Sequence, residues 1–359
     1  MKAAVLRAFG LPLSVEEVQD PVLGTGEVIV QIVAAPVLHY AGEVFSGERK
    51  YLLNLPIVPG TGGVGKVLAT GPDVTRLTPG DWVLCDPTVR SRDSAINPDI
   101  TLQGLSARGP GGLSLQNYYH NGSFAAKMML PTENAISLGQ IKAEDAARWC
   151  AANALLVPYG GLLAADLQAG ETIVISGATG YYGGSAVAVA LAMGAGCVVA
   201  PGRNKKVLDK LSLRFGSRIC TVELTGDEQT DKANMMKAAP GPVDCVFDML
   251  APSADPKAVR AAIMTVREYG RVVLMGGVGM MGGGGLDLSY AWIMRNSITI
   301  KGQWMYLPDA PHKLISLVKS GLLSLAHYEI SEFPLDEANE AVAYAAKEKG
   351  AFKLTVIMP

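Results

Sequence analysis

The chain has 359 residues, enough for two domains that each bury a core of their own. Hydrophobic residues make up 49% and charged residues 18%, which is typical of a compact α/β protein and too apolar for a disordered chain. The formal net charge is −2 and no long basic run occurs, so we expect no nucleic-acid partner.

The N-terminal segment does not resemble a secretory signal, because Arg7, Gly10 and Pro12 interrupt its short apolar stretch and acidic residues follow. No run of about 18 apolar residues is free of charges and of Gly or Pro, so we expect no membrane partner. The five cysteines are odd in number and widely spaced, which fits neither a disulfide framework nor a zinc ribbon. We therefore expect a cytoplasmic protein.

The first 150 residues are rich in Gly, Pro and alternating apolar and polar residues, a pattern of short strands and tight turns. Strands are predicted at GEVIVQIVAA (26–35), VGKVLAT (64–70) and GDWVLCD (80–86). Residues 87–122 show no clear periodicity. We interpret them as a long excursion, a feature that is usually functional within a domain.

Strands and helices alternate from residue 170 onward. The predicted strands and helices, in chain order, are TIVISG, GGSAVAVALAMGA, CVVAPG, NKKVLDKLSLRFG, ICTVEL, VDCVFDML, RVVLMGG and SITIKGQW. Apolar strands in such an alternation predict a parallel, doubly wound sheet. The helix PHKLISLVKSG (311–321) and the final segment depart from this rhythm, so we expect the chain to return there to the first domain. The predicted domains are 1–145 with 305–359, and 146–304.

The segment GATGYYG lies between the first of these strands and its helix. Gly177, Gly180 and Gly183 would allow a tight turn, a close approach of the backbone to a pyrophosphate, and a helix N-terminus that faces the phosphates. Three spaced glycines alone are a weak signal, but here they follow an apolar strand and open a series of βα units. We predict a dinucleotide site that also includes the intervening residues Ala178, Thr179 and Tyr181.

The second strand ends in PGRNKK (201–206), where an acidic residue would bind the ribose hydroxyl of NAD. The chain instead offers Gly202, Arg203, Asn204 and Lys205, which leave room for a 2′-phosphate and neutralise it. This favours NADP(H) as the cofactor. The alternative is that the lysines only form a solvated helix start.

The fifth strand is followed by MGGVGMMGGGG (275–285). Carboxyl ends of strands in open sheets face the ligand, so we expect Gly276, Gly277 and Val278 to border the nicotinamide. The later glycines are more simply explained as a surface loop.

With these parts in this order, the whole chain resembles the medium-chain dehydrogenase/reductase superfamily, which includes alcohol dehydrogenases and quinone oxidoreductases. The residues that carry the resemblance are GEVIVQIVAAPV, PIVPGTGGVGKVLATGPDVTRLTPGDWV (56–83), NGSFAAKMMLP (121–131), the glycine motif and KGQW. The resemblance implies an α/β protein with a discontinuous GroES-like catalytic domain, a Rossmann domain and an active site between them. It also implies a homodimer paired through the sixth strand, about 297–303. The apolar and β-branched composition of SITIKGQ is typical of a poorly protected edge strand, which agrees with such pairing.

The chain departs from the zinc-dependent members of that superfamily. Leu38 stands where they carry a cysteine, Thr61 and Gly62 replace their His-Glu pair, and only Cys150 matches a ligand position. A catalytic zinc needs three protein ligands, so no catalytic metal is expected. Cys85 stands alone where a structural zinc would need four cysteines, so no structural metal is expected either.

Tyr40 occupies the position of the proton-relay Ser or Thr of the zinc-dependent relatives, and His39 precedes it. A phenol there would donate a hydrogen bond to a carbonyl or enolate oxygen, with His39 in support. The alternative is that both residues only line a wall. We expect a small hydrophobic carbonyl substrate, reduced at a conjugated C=C or at a C=O, and a non-catalytic NADPH-binding protein remains the alternative class. Leu38 and Ala41 also depart from the Asn and Asp usual in quinone reductases.

Overall fold

The computed structural model describes residues Met1–Pro359. The chain forms two compact units. Unit 1 comprises Met1–Asn153, Leu325–Lys349 and Lys353–Pro359, and unit 2 comprises Ala154–Ser324 and Gly350–Phe352.

Unit 1 is mainly β-structure. The strands of its first part are β1 (Lys2–Val5), β2 (Ser14–Glu17), β3 (Glu27–Val37), β4 (Gly63–Thr70), β5 (Trp82–Cys85), β6 (Thr88–Arg90), β7 (Ile100–Leu102), β8 (Ser106–Arg108), β9 (Lys127–Pro131) and β10 (Ala135–Gly139). The helices of this part are α1 (Ala41–Phe45), α2 (Gly109–Tyr118) and α3 (Ala146–Trp149).

Unit 2 contains six strands and most of the longer helices. The strands are β11 (Thr172–Ser176), β12 (Cys197–Gly202), β13 (Ile219–Glu223), β14 (Val243–Asp248), β15 (Val266–Leu274) and β16 (Thr299–Gly302). The helices are α4 (Ala151–Ala164), α5 (Tyr181–Ala192), α6 (Lys205–Phe215), α7 (Glu228–Ala238), α8 (Pro256–Ile263), α9 (Tyr290–Arg295) and α10 (Ala310–Lys319).

The chain then completes unit 1 with β17 (Glu329–Pro334), α11 (Ala338–Lys347) and β18 (Lys353–Met358). Short 3-10 turns occupy Thr132–Asn134, Ala143–Asp145, Gly216–Arg218, Leu325–His327 and Leu335–Glu337. The main sheet of unit 1 has the order β10-β5-β4-β3-β18-β17, and β9 also pairs with β3. β3 is therefore the centre of this sheet, which explains why its apolar alternation was the clearest in the sequence. The three strands predicted in this region are confirmed as β3, β4 and β5.

The segment 87–122 contains more regular structure than its sequence indicated. β6, β7 and β8 form a separate three-stranded antiparallel sheet, and α2 follows directly. Each strand has only three residues, too few to show alternation. α2 begins with Gly109, Pro110, Gly111 and Gly112, whose low helix propensity hid it.

The sheet of unit 2 has the order β13-β12-β11-β14-β15-β16, and every adjacent pair is parallel. This is the doubly wound sheet predicted from the βα alternation. Consecutive strands are added outward from β11 on one side and then from β14 on the other. The order of the strands thus reverses between β11 and β14, at the place where ligands bind in open α/β sheets.

The units divide the chain at different residues from those predicted. Residues 305–324 were expected in the first domain but belong to unit 2. The reason is close packing on α4, because a Cβ placed on Gly160 would lie 2.6 Å from Tyr306 Cβ. Residues 146–153 belong instead to unit 1, where α3 packs against β3 and β4. The chain returns to unit 1 at Leu325, later than the predicted residue 305.

Candidate active site

The glycine motif lies at the turn from β11 to α5. Gly177 has a φ of +86°, a left-handed conformation that a residue with a side chain rarely adopts. A Cβ on Gly183 would overlap the Gly177 carbonyl oxygen, so the first turn of α5 passes directly against the loop. Gly180 begins the helix without a side-chain cap, which leaves N–H groups of the first turn available for an anion. These residues fit a dinucleotide pyrophosphate.

The other residues predicted in this turn support its shape. Ala178 is fully buried and Tyr181 is 6% exposed, so both pack inward. Thr179 contacts the end of β12, because a Cβ on Gly202 would overlap its methyl group. The turn and the end of β12 are therefore in direct contact, as a site that binds both pyrophosphate and ribose requires.

The end of β12 carries exposed cations. Arg203, Lys205 and Lys206 are all exposed. Asn204 begins α6 and its side-chain oxygen accepts the Val207 N–H at 3.3 Å, so its carboxamide oxygen serves as a helix cap. Lys205 Nζ lies 3.5 Å from Asp209 Oδ1 in an exposed pair.

An acidic residue of the next strand lies close to these cations in register. Glu223 of β13 pairs with Gly202 and is exposed. The position of Glu223 could not be predicted, because the sequence of one strand does not show which residues of a neighbouring strand pair with it.

The residues that follow β15 lie at the same edge of the sheet. A Cβ on Gly276 would overlap Asp248 Oδ2, and Gly277 N–H donates to the Leu250 carbonyl at 2.9 Å. Val278 is partly buried and packs against the apolar core of this unit. Gly279 and Gly282–Gly285 are exposed, as expected for a surface loop.

Asp248 is a residue of this site that the sequence analysis missed. It ends β14, is only 3% exposed, and lies in register with Ser176 of β11. Burial raises the pKa of its carboxyl to about 6, opposed by hydrogen bonds from the Leu250 N–H and the Ser176 hydroxyl. Its only signal in the sequence was an acid at the carboxyl end of a mostly apolar strand.

The predicted catalytic pair lies between β3 and α1 in unit 1. The rings of His39 and Tyr40 meet edge-on with centroids 5.1 Å apart. Burial, and after it the positive charge of Arg49, lower the pKa of His39 to about 4. The imidazole is therefore neutral at neutral pH and brings no charge to the Tyr40 ring beside it.

An apolar pocket lies beside this pair. Leu38 and Ala41, which flank His39 and Tyr40 in the chain, both line it, whereas His39 and Tyr40 do not. Its lining residues come from five separate segments: Pro36, Leu38, Ala41, Phe45, Gly60, Thr61, Gly104, Leu105 and Phe124. Thr61 provides the single side-chain hydroxyl. The empty space within this lining is about 200 Å³, open solvent included, and its walls are mostly apolar.

The turn between β7 and β8 forms one wall of the pocket through Gly104 and Leu105. A Cβ on Gly104 would overlap the Gly60 carbonyl oxygen, so the turn lies directly on the segment that carries Thr61. Part of the excursion 87–122 thus builds the pocket of its own unit.

The residues at the positions where zinc-dependent relatives carry their ligands do not suit a metal ion. Thr61 is 8% exposed, Gly62 has no side chain, and Cys150 is fully buried with its thiol pKa raised by burial. Cys85 is also fully buried, and burial raises its pKa to about 12, so neither thiol offers a ready thiolate. No three His, Cys, Asp or Glu side chains lie close enough together to hold a metal ion.

The fold and the glycine turn define a two-unit α/β oxidoreductase with a dinucleotide-binding sheet. The alcohol dehydrogenase GroES-like family matches residues 24–140, and the zinc-binding dehydrogenase family matches residues 183–320. The chain is 31% identical over 314 residues to an alcohol dehydrogenase of Moraxella sp. (strain TAE123), with 84% of each chain covered. The chain belongs to the medium-chain dehydrogenase/reductase superfamily.

Two further proteins illustrate the range of this superfamily. An acryloyl-coenzyme A reductase of Metallosphaera sedula is 30% identical over 208 residues, which cover 54% of this chain and 57% of the relative. A zinc-binding dehydrogenase of Sinorhizobium meliloti 1021, solved bound to NADP, has a TM-score of 0.78 at 20% identity and is covered to 99%. The latter likeness covers 100% of this chain and shows the fold.

No helix is both long enough and apolar enough to cross a lipid bilayer.

Proposed function

We propose that the chain is a zinc-independent, NADPH-dependent oxidoreductase that transfers hydride to a C=C conjugated with a carbonyl, as in an enal, an enone or a quinone. The observation that carries this proposal is the replacement of the metal ligands by Thr61 and Gly62, with Cys150 fully buried. Reduction of a simple ketone develops an alkoxide, which a metal stabilises as a Lewis acid. Reduction of a conjugated C=C develops an enolate, whose charge is delocalised and needs weaker stabilisation.

In this proposal, residues of unit 2 bind the cofactor and residues of unit 1 bind the substrate. When bound, the nicotinamide supplies the hydride. The turn from Gly177 to Gly183 holds the pyrophosphate through backbone N–H groups. The apolar pocket around Phe45 and Phe124 holds the hydrophobic part of the substrate, and excludes water from it.

Tyr40 is the proposed proton donor, and His39 supports it. The phenol would donate a hydrogen bond to the enolate oxygen and then give its proton to the α-carbon, directly or through water, and solvent would reprotonate the phenolate. His39 is neutral at neutral pH, so it would orient the phenol without adding a competing charge.

NADPH is proposed as the cofactor because of the charge at the end of β12. Arg203 and Lys205 are exposed there and match a 2′-phosphate, which needs cationic partners. Arg203→Ala is expected to weaken NADPH binding about tenfold and to leave NADH binding nearly unchanged. Lys237→Ala, an exposed lysine of α7, serves as the control for a general loss of positive charge.

The second candidate is reduction of a ketone or aldehyde, favoured by the relatives named alcohol dehydrogenase. The name acryloyl-coenzyme A reductase refers to a conjugated C=C and favours the first candidate. Reduction of cinnamaldehyde separates the two, because the saturated aldehyde supports the first and the allylic alcohol the second. Tight NADPH binding without turnover on a broad panel of carbonyl compounds would instead support a non-catalytic binding protein.

A homodimer paired through β16 is proposed as the assembly. β16 is an edge strand of the unit 2 sheet, and Thr299 and Lys301 on it are exposed. An open edge with a β-branched residue invites pairing with a second copy. Light scattering at known concentration would give the mass of a dimer, and Ile300→Pro would shift it to that of a monomer.

The first experiment is a fluorescence titration of purified, metal-analysed protein with NADPH and with NADH. Tighter binding of NADPH without stoichiometric zinc supports both the cofactor and the metal-free site. A preference for NADH would overturn the role of Arg203. Stoichiometric zinc would overturn the zinc-independent mechanism.

A further inference from the structure

The carboxyl group of Asp248 lies at the point where the strand order of the unit 2 sheet reverses. Asp248 is the last residue of β14, and its partner in register on β11 is Ser176, the residue before Gly177. It therefore lies beside the turn that would hold the pyrophosphate. None of the proposed chemistry uses this acid.

The backbone around Asp248 lies against two glycine-containing turns, at Gly177 and at Gly276. A Cβ on Gly177 would lie 3.1 Å from the Met249 carbonyl oxygen, and one on Gly276 would overlap Asp248 Oδ2. Leu250 N–H donates to Asp248 Oδ1 at 3.4 Å. The carboxyl thus contacts the segment expected to border the nicotinamide, and the backbone of the next residue, Met249, lies against the pyrophosphate turn.

The strands beside β14 bring no compensating cation to the carboxyl. β11 contributes the Ser176 hydroxyl, and its sequence TIVIS contains no charged residue. On β15 the nearest basic residue in register is Arg271, which pairs with Cys245 and forms an ion pair with Glu171.

The helices packed against β14 do not compensate the carboxyl either. α4, which packs on Phe247 through Gly161, contains no charged residue. On α8, Arg260 is paired with Glu228 at 2.6 Å, and Lys257 is exposed. Asp255, the N-cap of that helix, is an exposed acid whose side chain accepts the Lys257 N–H. An ionised Asp248 is therefore stabilised by hydrogen bonds alone.

We propose that Asp248 is a positioning residue that makes dinucleotide affinity depend on pH, because its protonated form supports the site and its ionised form repels the anionic pyrophosphate. The inference rests on the proposed dinucleotide site. The raised pKa of about 6 places the change within the range of ordinary assays. Linkage then requires that cofactor binding raise this pKa further, so binding near pH 6 takes up a proton.

The test compares wild type with Asp248→Asn, which keeps the size and a neutral hydrogen-bonding group. NADPH is titrated by nicotinamide fluorescence between about pH 5 and pH 8. The 2′-phosphate of NADPH itself titrates near pH 6, so the readout is the difference between the two proteins. The affinity of the wild type relative to the variant is expected to fall by about fivefold across this range.

Two further measurements make the outcome decisive. Calorimetry in buffers of different ionisation enthalpy is expected to show proton uptake on binding near pH 6 in the wild type and less in the variant. Asp244→Asn, at the other end of the same strand, is expected to retain the wild-type pH profile. If Asp248→Asn does not fold, proton uptake by the wild type on binding NADH, which lacks the 2′-phosphate, decides alone.

Equal pH profiles for wild type and Asp248→Asn, or binding by wild type without proton uptake near pH 6, would overturn the role of Asp248 and leave the cofactor site intact. Failure of the wild type to bind either nucleotide at any pH would instead overturn the proposed function.

Discussion

Arg49 lies over the ring of Tyr40, with its guanidinium carbon 4.1 Å from the ring centroid. Its Nε donates to Glu43 Oε2 at 2.7 Å, which fixes the guanidinium in this place. Tyr51 lies on another side, with its ring centroid 6.5 Å from that of Tyr40. A cation–π contact and an edge-on aromatic contact therefore hold the Tyr40 ring, which is the kind of support that a proton donor needs.

Tyr40→Phe is expected to lower kcat about 100-fold, because the variant keeps the ring contacts and loses only the hydroxyl. The dissociation constant for NADPH should remain that of the wild type. Tyr51→Phe, in the same aromatic cluster, is the matched control and should change kcat little. Equal kcat for the two variants would remove Tyr40 from the chemistry and leave it as a wall residue.

The low pKa of His39 predicts that the free energy of unfolding decreases at acid pH. Its folded pKa of about 4 lies below the usual histidine value of 6.5, so the unfolded chain binds the proton first. The stabilisation is fully present above about pH 6.5 and is lost as the pH falls toward 4, by roughly 2–3 kcal/mol in total.

Urea unfolding of wild type and His39→Gln at several pH values would measure this contribution of His39. As the pH falls, the free energy of unfolding should decrease more in the wild type than in the variant. Asp248 works in the opposite direction, since its raised pKa removes an unfavourable charge below about pH 6. Only the comparison between the two proteins isolates His39, and a constant difference would contradict a buried neutral imidazole.

The elements with a continuous pattern could be predicted from the sequence. β3, β11 and the turn into α5 were all found, because buried strands are apolar and a phosphate turn requires glycines at fixed spacing. The sheet of unit 2 followed from the βα alternation. Short elements with no such pattern, such as β6 and the glycine-rich start of α2, were not found.

Most of the site could not be predicted, because it depends on contacts between distant segments. Leu105 and Phe124 come together with Phe45 only after the turn between β7 and β8 packs on Gly60. Asp248 is an ordinary acid in the sequence, and only its burial next to Gly276 makes its protonation matter. Residues 305–324 were placed in the wrong domain because a helix pattern does not indicate which surface it packs against.

The size of the substrate is expected to depend on Leu105. Leu105→Ala enlarges the pocket and should lower KM for bulky enones relative to small ones by about tenfold, the effect of one or two methylene groups in an apolar site. Leu102→Ala, a buried leucine at the end of β7 that does not line the pocket, is the control for lost stability. A similar change in both variants would mean that the pocket does not select the substrate.

Substitution of Cys150 would test whether a metal takes part in the reaction. The side chain is fully buried, and burial raises the pKa of its thiol, so it behaves as a small apolar group. Cys150→Ala is expected to retain most of kcat/KM and to lose about 1 kcal/mol of stability through the small cavity. Incubation of the wild type with a strong chelator should likewise leave activity unchanged. If the wild type instead carries stoichiometric zinc that the variant lacks, with activity lost in parallel, the reaction needs the metal and the argument for Tyr40 as proton donor fails.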